Sequence, residues 1–260
     1  MIVIGAGRVG TALEARAAAH ELPCTLVRRD TGWEALEGPQ GDPILVAVRN
    51  DALAAVVAAT PTHRRDDLVF VQNGMIRDSL RALGVARATR GLLYFAVPTK
   101  GAPVQPGRTS WFSGAHGLGA ARWLGAMGLA SQSVDWARFS FYELEKVSWL
   151  VVHGLLCTVH ECTVGEVAEA HPDAVLALVR ELAALGRVAH GVDVPPEYLA
   201  DKLLDYSRSV PEWRASVKEW EWRDGWFQAQ AARFGVDTPV HRELLRAAGF
   251  SDRLPQPGPQ

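Results

Sequence analysis

The chain has few cysteines and no large surplus of either charge. Its 260 residues include three cysteines, Cys24, Cys157 and Cys162, and no two of them form a CxxC pair. This spacing is typical of neither a disulfide framework nor a zinc site, so we expect reduced thiols in a cytoplasmic protein. The 27 Lys and Arg residues nearly balance the 29 Asp and Glu residues. The balance favours neither a nucleic-acid partner nor an anionic membrane surface.

Long hydrophobic runs and metal-ligand motifs are also missing. No apolar stretch approaches the roughly 18 residues that a membrane-spanning helix needs. The opening residues MIVIGAG lack the basic region and the cleavage site of a signal peptide, and we expect none. The acidic residues, Glu161, Glu166 and Glu169 among them, form no HExxH or similar pattern, so we predict no bound metal.

The first half of the chain alternates short apolar runs with helical stretches. Strands are predicted at Ile2–Ile4, Thr25–Val27, 44–48 and 68–71, and helices at Val9–His20, 51–59 and 76–82. Such alternation predicts a mostly parallel, doubly wound sheet with helices on both faces. Extended segments between residues 91 and 114 predict antiparallel strands at its far edge. A helix at 118–127 and a strand at 131–134 complete this half.

The second half shows no strand pattern after about Phe139. The predicted helices are Phe141–Cys162, Pro172–His190, Pro195–Ser209, Trp213–Phe234 and His241–Ala248. We therefore predict an α/β Rossmann domain over residues 1–136 and an all-helical domain, for substrate binding or dimerisation, over residues 137–260. The Pro-rich residues 254–260 predict a disordered tail.

A glycine-rich turn follows the first predicted strand. Gly5-Ala6-Gly7-Arg8-Val9-Gly10 matches the GxGxxG pattern and opens a predicted helix. Glycine lets the chain turn tightly and lets a pyrophosphate approach the backbone, whose amides at the helix N-terminus bind phosphate. The motif predicts a dinucleotide site formed by Gly5, Gly7, Arg8, Val9 and Gly10. A glycine turn in an unrelated α/β protein is the alternative.

The end of the second predicted strand bears on the choice between NAD and NADP. NAD sites usually carry an acidic residue there for the ribose 2′-hydroxyl, whereas arginine accommodates a 2′-phosphate. This chain has Val27-Arg28-Arg29-Asp30, and the guanidinium groups of Arg28 and Arg29 favour NADP(H). Two alternatives stay open. In the first, the strand ends one residue later and Asp30 lies nearer the ribose; in the second, both arginines are solvated loop residues.

Further polar residues follow in a fixed order along the chain. Gln72-Asn73-Gly74 follows a strand, where ligands bind in open α/β sheets, although Asn-Gly is often only a turn. Lys146 opens the long helix, Ser207 lies shortly before Glu219, and Val236–Val240 precedes the last helix. Together with the N-terminal GxGxxG, this order resembles the ketopantoate reductase family over nearly the whole chain.

The resemblance implies a role for each of these residues. Lys146 corresponds to the general acid that protonates the carbonyl oxygen, and Glu219 to the carboxylate that binds the substrate hydroxyl. Ser207 corresponds to a hydroxyl that contacts the substrate carboxylate, and Asn73 to the cleft asparagine near the nicotinamide. Arg49 lies where the family often carries a lysine at a strand end. A positioned ammonium also suits the chemistry, because negative charge develops on the oxygen during hydride addition.

The long helix departs from the family pattern. The family's helix asparagines align with Leu150 and Gly154, and a third asparagine aligns with Val164, so none is retained. The helix instead places Lys146 and His153 seven residues apart, on about the same face. His153 is therefore a candidate for substrate binding or proton transfer, with a buried structural histidine as the alternative.

The helical half also carries an unusual number of tryptophans. They are Trp149, Trp213, Trp220, Trp222 and Trp226. Such residues form a core, a subunit interface or an apolar pocket, and we favour the core for most of them. A homodimer is one arrangement that exposed tryptophans would favour.

These observations predict a cytoplasmic NADPH-dependent reductase of a small 2-oxo acid or related carbonyl compound. The missing asparagines leave open whether ketopantoate is the substrate. Alternatives on the same fold are an NADP-dependent hydroxy-acid dehydrogenase and an imine reductase. Another alternative, suggested by the missing polar residues, is a sensor that binds NADP(H) without turnover. For Lys146 and Glu219 themselves, solvated helix charges are the alternative.

Overall fold

The structure, a computed structural model, describes residues 1–254 and places them in two compact units. The first spans Met1–Phe139 and the second begins at the next residue. The division falls within the first turn of a helix that starts at Trp136, near the residue where we expect the domain boundary. Of the predicted tail, Leu254 is largely buried, and residues 255–260 lie outside the described part of the chain.

A seven-stranded sheet forms the centre of the first unit. Its strands are β1 (Ile2–Ile4), β2 (Thr25–Val27), β3 (Ile44–Val46), β4 (Leu68–Phe70), β5 (Thr89–Leu92), β6 (Ser110–Ser113) and β7 (Ser131–Ser133). Its helices are α1 (Arg8–Ala19), α2 (Leu53–Ala59), α3 (Arg77–Ala82) and α4 (Gly117–Ala126). The strand order is β2-β1-β3-β4-β5-β6-β7, and the first five strands are parallel. This confirms the predicted Rossmann class.

The strand order creates a switch point between β1 and β3. The chain leaves β1 to form β2 on one side and then returns to add β3 on the other side. In open α/β sheets ligands bind in the crevice outside the carboxyl ends of two such strands. The strands themselves are buried apolar runs, with Val3, Leu45 and Val69 in the core, because helices cover both faces of a parallel sheet.

The far edge of the sheet departs from parallel pairing, as predicted. β6 runs antiparallel to β5, with Gly91 opposite Phe112, and β7 then pairs parallel with β6. In the described structure the segment between β5 and β6 contributes no named strand, only an isolated bridge between Ala96 and Gln105. The extended pattern around its prolines therefore forms a loop.

Helices alone build the second unit over its described residues, as predicted. They are α5 (Trp136–His160), α6 (Val164–Ala170), α7 (Pro172–His190), α8 (Pro196–Ser209), α9 (Asp224–Phe234) and α10 (Pro239–Ala247). α7 packs closely on α5, since a Cβ at Gly186 would lie 2.5 Å from a methyl of Leu144. No single helix within residues 1–254 has the length and apolar character to cross a membrane; α5 and α6 have both only as a pair, bent by 85°.

One predicted helix of the second unit is wrong. The stretch Trp213–Phe234 is not continuous, because residues 213–219 are irregular and α9 begins only at Asp224. The irregular segment packs against α5, where the carbonyl oxygen of Ser216 lies 3.2 Å from the position of a Cβ at Gly154. This tertiary contact overrides the local helical preference of the segment.

The short helix α6 is present although no helix is predicted there. Glu166 N donates to Thr163 Oγ1 at 3.3 Å, and Thr163 N donates in return to Glu166 Oε2 at 2.7 Å. This reciprocal arrangement is a capping box, which satisfies amides at a helix start. Its Thr-x-x-Glu pattern is visible in the sequence and would have predicted the helix.

Candidate functional site

Contacts differ at each glycine of the turn after β1. Gly5 has a φ of 115°, and a Cβ there would lie 2.8 Å from the carbonyl oxygen of Ala47. A Cβ at Gly10 would lie 1.8 Å from the carbonyl oxygen of Gly5, so α1 approaches the turn as closely as glycine allows. A Cβ at Gly7 would meet none of the described atoms within 4 Å. Gly7 therefore borders open space.

The N-terminus of α1 presents backbone donors at this turn. Gly7 is the N-cap residue, no side chain caps the helix, and its first turn holds no acidic residue. Thr11 Oγ1 donates to the carbonyl oxygen of Gly7 at 2.7 Å, while Arg8 Nη1 donates to that of Pro98 at 3.0 Å. First-turn amides lack partners within a helix, and the helix dipole adds positive charge. This end of α1 is suited to bind an anion such as phosphate.

The ends of β3 and β4 are tied together by two side-chain amides. Gln72 Nε2 donates to the carbonyl oxygens of Val46 and Val48 at 2.7 and 3.1 Å. Asn50 Nδ2 donates to the carbonyl oxygen of Asn73 at 3.0 Å. The predicted site residue Asn73 thus lies at the carboxyl edge of the sheet, half-buried and held through its backbone.

Two predicted cofactor residues, Arg29 and Arg49, extend into solvent. Arg49 follows β3 and forms an ion pair with Asp51 at 3.0 Å, and both side chains are largely exposed. Arg29 and Asp30 lie exposed in the loop after β2, where Trp33 Nε1 donates to the carbonyl oxygen of Arg29 at 3.1 Å. Neither arginine is fixed by burial.

Arg28, another predicted cofactor residue, makes its contacts within the first unit. Its Nη2 forms an ion pair with Glu14 of α1 at 3.2 Å, and its Nη1 donates to the carbonyl oxygen of Leu26 at 3.3 Å. The Arg28 backbone amide donates to the carbonyl oxygen of Thr31 at 2.9 Å. The side chain therefore folds back over β2.

Lys146 lies in the middle of α5, not at its start. The helix already begins at Trp136, and Lys146 is half-buried. Two of the positions where the family carries asparagine lie on the same helix: Leu150 is half-buried, and Gly154 is buried beneath Ser216. The backbone at Ser216 leaves little room beside Gly154, which accounts for glycine at that position.

His153 and Ser207 lie together inside the helical unit. Both residues are fully buried, and His153 Nε2 lies 2.7 Å from Ser207 Oγ. Trp149 Nε1 donates to Ser207 Oγ at 2.9 Å, and its ring stacks on the imidazole with centroids 5.0 Å apart. These contacts join α5 to α8. They also place the Ser207 hydroxyl out of contact with solvent.

The proton positions in this cluster follow from its partners. His153 Nδ1 lies 3.1 Å from the carbonyl oxygen of Trp149, which can only accept, so this nitrogen carries a hydrogen. Burial lowers the pKa of His153 to about 4. At neutral pH its Nε2 therefore carries no hydrogen and accepts one from the Ser207 hydroxyl.

Acidification is expected to destabilise the helical unit through His153. An unfolded histidine has a pKa of about 6.5, whereas folded His153 has a pKa of about 4. Between these two pH values the unfolded chain binds a proton that the folded chain does not. The contribution of His153 to stability is therefore fully present above the unfolded pKa and is lost as the pH falls through the folded pKa. The loss is about 3 kcal/mol. Urea unfolding at a series of pH values, followed by circular dichroism, measures it.

The variants His153→Gln and His20→Gln separate this effect from general acid sensitivity. His20 is exposed, so its substitution should leave the pH dependence unchanged. His153→Gln should flatten the pH dependence while lowering stability at neutral pH, because the cluster is disrupted. A His153→Gln protein with the parent's pH dependence would show that another group is responsible.

Glu219 is not the helix carboxylate that the sequence predicts. Its backbone is left-handed, with a φ of 50°, and it precedes a 3-10 turn at Trp220–Trp222. Its carboxylate accepts a hydrogen bond from the guanidinium of Arg223, which is buried, while Glu219 itself is partly exposed. Any hydrogen bond that Glu219 accepts from a substrate is therefore made by an ion-paired carboxylate.

A second buried polar cluster, which was not predicted, joins α9 to α10. His241 Nε2 donates to Asp224 Oδ1 at 3.1 Å, and Gln228 Nε2 donates to His241 Nδ1 at 2.8 Å. Glu181 accepts from the backbone amides of Val240 and His241 at 2.8 and 2.9 Å. These contacts fix the start of α10. Across residues 1–254 no three side chains of metal-ligating type form a group.

The tryptophans divide between core and surface. Trp149 and Trp226 are buried, Trp220 and Trp222 are half-buried, and Trp213 is exposed. The core expectation therefore holds for two of the five, and Trp213 lies on the surface of the irregular segment.

Solved structures match nearly the whole chain, whereas no protein-family profile and no curated protein match its sequence. A D-mandelate dehydrogenase with NADH matches with a TM-score of 0.76 at 13% identity, covering 97% of this chain and 98% of that one. A ketopantoate reductase from Ralstonia eutropha gives 0.73 at 18% identity, covering 97% and 99%. A dimeric ketopantoate reductase from Staphylococcus aureus gives 0.73 at 16% identity, also covering 97% and 99%.

The chain has the fold of the ketopantoate reductases. This confirms the fold that the resemblance implies, a Rossmann domain followed by a helical domain. At sequence identities below 20% the likeness shows the fold alone. Any chemistry has to be argued from the site residues of this chain.

Three residues that shape the candidate site were not predicted. Glu14 is the acidic residue of an Ala-rich α1, and no local pattern pairs it with Arg28. Gln72 belongs to the Gln-Asn-Gly turn, but only its neighbour Asn73 was named as a site residue. Arg223 follows Glu219 by four residues, a spacing of opposite charges that would have suggested the pair.

Proposed function

We propose that this chain is an NADPH-dependent reductase of a small 2-oxo acid or a related small carbonyl compound. The observation that carries the proposal is the glycine turn, where Gly7 borders open space beside the switch point of a parallel sheet. Solved structures of the same fold include ketopantoate reductases and a D-mandelate dehydrogenase with NADH, which supports the class of cofactor and substrate.

A dinucleotide fits the residues of the first unit. The first-turn amides of α1, together with Arg8, would bind the diphosphate. Arg28 and Arg29 follow β2, where Rossmann proteins bind the adenosine ribose, and their charge suits a 2′-phosphate. Arg49 and Asn73 follow β3 and β4 at the same edge of the sheet.

Lys146 and Glu219 are the residues that we assign to the reaction. When bound, NADPH would supply a hydride to the carbonyl carbon. We assign Lys146 to the carbonyl oxygen, where its ammonium offsets the developing negative charge and donates a proton. We assign Glu219 to a hydroxyl of the substrate, from which its carboxylate accepts a hydrogen bond, while Arg223 holds that carboxylate in place.

Ser207 and His153 take a supporting role in this proposal. It replaces the substrate contact that the resemblance implies for Ser207 and the one that helix spacing suggests for His153. The Ser207 hydroxyl accepts from Trp149, and its one hydrogen goes to His153 Nε2 at 2.7 Å, with the carbonyl oxygen of Leu203 as a second acceptor at 3.0 Å. Burial of both residues leaves no exposed atom for a substrate to touch. We propose that they hold α8 against α5, the helix that carries Lys146.

Cofactor binding and turnover test the proposal together. NADPH and NADH are titrated into the purified protein by cofactor fluorescence, and a panel of 2-oxo acids is then screened by loss of NADPH absorbance. We expect binding of NADPH and turnover of at least one acid. If the protein binds NADPH but turns over no 2-oxo acid, 2-hydroxy acids with NADP⁺ and imines with NADPH are tested next. Binding without turnover in all of these assays would favour a sensor. Failure to bind either cofactor would refute the proposal.

Gly7→Val is expected to weaken NADPH binding at least about tenfold while leaving the fold intact. The φ of Gly7 is −79°, which valine adopts readily, and the space beside it is open. A valine side chain would occupy the space that the diphosphate needs, so binding alone should suffer. Fluorescence titration measures Kd, and thermal unfolding checks that Tm changes by less than about 2 °C.

Gly125→Val is the matched control for that substitution. Gly125 lies exposed on α4, where a Cβ would meet only Ser131 Oγ at 3.9 Å among the described atoms. Its replacement should cost some helix stability and leave NADPH binding unchanged. Equal affinity of Gly7→Val and the parent for NADPH would place the diphosphate elsewhere. Light scattering on the same samples tests for a homodimer, the arrangement that exposed tryptophans would favour.

A further inference from the structure

The terminal nitrogens of Arg28 are engaged within the first unit. Nη2 donates to both carboxylate oxygens of Glu14, at 3.3 and 3.2 Å, and Nη1 donates to the carbonyl oxygen of Leu26 at 3.3 Å. The bond from Arg28 N to the carbonyl oxygen of Thr31 closes the loop behind it. The guanidinium that favours a 2′-phosphate is thus directed onto α1 and shares its charge with a carboxylate.

Glu14 opposes a phosphate at this place in two ways. A phosphate must compete with the Glu14 carboxylate for the same Nη2 group of Arg28. A phosphate that does bind Arg28 also brings its negative charge close to the carboxylate, because both contact one side chain. A ribose 2′-hydroxyl carries no charge, so NADH meets neither penalty.

We propose that Glu14 is a specificity-determining residue that lowers the preference of this site for NADPH over NADH. The inference rests on the proposed dinucleotide site and concerns its selectivity. The Arg28 and Glu14 side chains are 50% and 36% exposed, so their ion pair is weak and a phosphate can displace it. Glu14 therefore reduces NADPH affinity without abolishing it, and the chain binds both cofactors with a modest preference for NADPH.

Glu14→Gln tests the inference by equilibrium binding, without reference to turnover. The neutral isostere should lower the Kd for NADPH about fivefold and leave the Kd for NADH within about twofold of the parent. Because the effect is electrostatic, the gain for NADPH should shrink as the salt concentration rises. Glu21→Gln is the matched control. It removes the same charge from an exposed position beyond the C-terminal end of α1 and should change the Kd of neither cofactor.

Arg28→Gln distinguishes an effect through Arg28 from a general charge effect. In the Arg28→Gln background, adding Glu14→Gln should improve NADPH binding less than it does in the parent. An unchanged ratio of NADPH to NADH affinity in Glu14→Gln would overturn the inference. If the parent protein binds neither NADPH nor NADH, the proposed function itself is refuted. The two failures are therefore separable.

Discussion

Lys146→Ala is expected to lower kcat about 10²–10⁴-fold, the usual contribution of a positioned general acid. The ammonium of Lys146 both offsets the charge that develops on the carbonyl oxygen and donates the proton, and alanine does neither. NADPH binding should persist, because the glycine turn belongs to the first unit and Lys146 to the second. Steady-state rates with the best 2-oxo acid and fluorescence titration with NADPH measure the two quantities separately.

Two further lysine variants sharpen this test. Lys146→Arg keeps the positive charge but offers a guanidinium that does not give up its proton, so kcat should stay low. Lys202→Ala removes a lysine of α8 whose ammonium lies over the Tyr198 ring, 5.2 Å from its centroid, and should retain the parent's kcat. A Lys146→Ala protein that keeps its fold and a kcat within about tenfold of the parent would remove Lys146 from the mechanism.

The first unit could be predicted closely because its determinants are local. β1 and β2 have the predicted bounds, since strands covered on both faces show as short continuous apolar runs. The glycine turn was predicted from GxGxxG, and the contacts at Gly5 and Gly10 show why larger residues do not fit. The domain order followed from the loss of strand patterns after about Phe139.

The second unit was predicted less well because distant residues decide its details. The segment that contains Ser216 is irregular because it packs on Gly154, far away in the sequence. Ser207 and His153 were each named as candidates. No local sequence pattern shows that the Ser207 hydroxyl forms a hydrogen bond with the His153 imidazole inside the core. Sequence patterns predict the burial of single polar residues poorly. The burial of Ser207 and His153 is the reason why we propose other roles for them.

Charge pairing was the other property that the sequence did not reveal. Arg28 was interpreted as a cation for the 2′-phosphate, and Glu219 as the carboxylate that binds the substrate hydroxyl. In the structure each has an ionic partner, Glu14 and Arg223. The four-residue spacing of Glu219 and Arg223 would have suggested the second pair, whereas no spacing rule joins Arg28, in the loop after β2, to Glu14 of α1. The pairs alter the expected selectivity of the site more than they alter the expected fold.

Asp67 is the centre of a buried polar cluster at the amino end of β4. Arg64 Nε donates to Asp67 Oδ2 at 2.6 Å, and Gly41 N donates to both carboxylate oxygens at 3.1 Å. His116 Nε2 lies 3.1 Å from Asp67 Oδ1. Arg64 also donates to the carbonyl oxygens of Gly38 and of Asp42, each at 3.2 Å. The cluster ties the loop before β3 to the sheet.

Asp67→Ala is expected to cost about 3–5 kcal/mol of the free energy of unfolding. Asp67 and Arg64 are almost fully buried, so removing the carboxylate leaves an uncompensated guanidinium charge in the interior. Thermal unfolding should show a Tm lower by about 10 °C. Asp205→Ala removes the same residue type from an exposed Asp–Arg pair with the same three-residue spacing, and should cost less than about 1 kcal/mol. A comparable loss in both variants would mean that burial does not set the strength of the Asp67 pair.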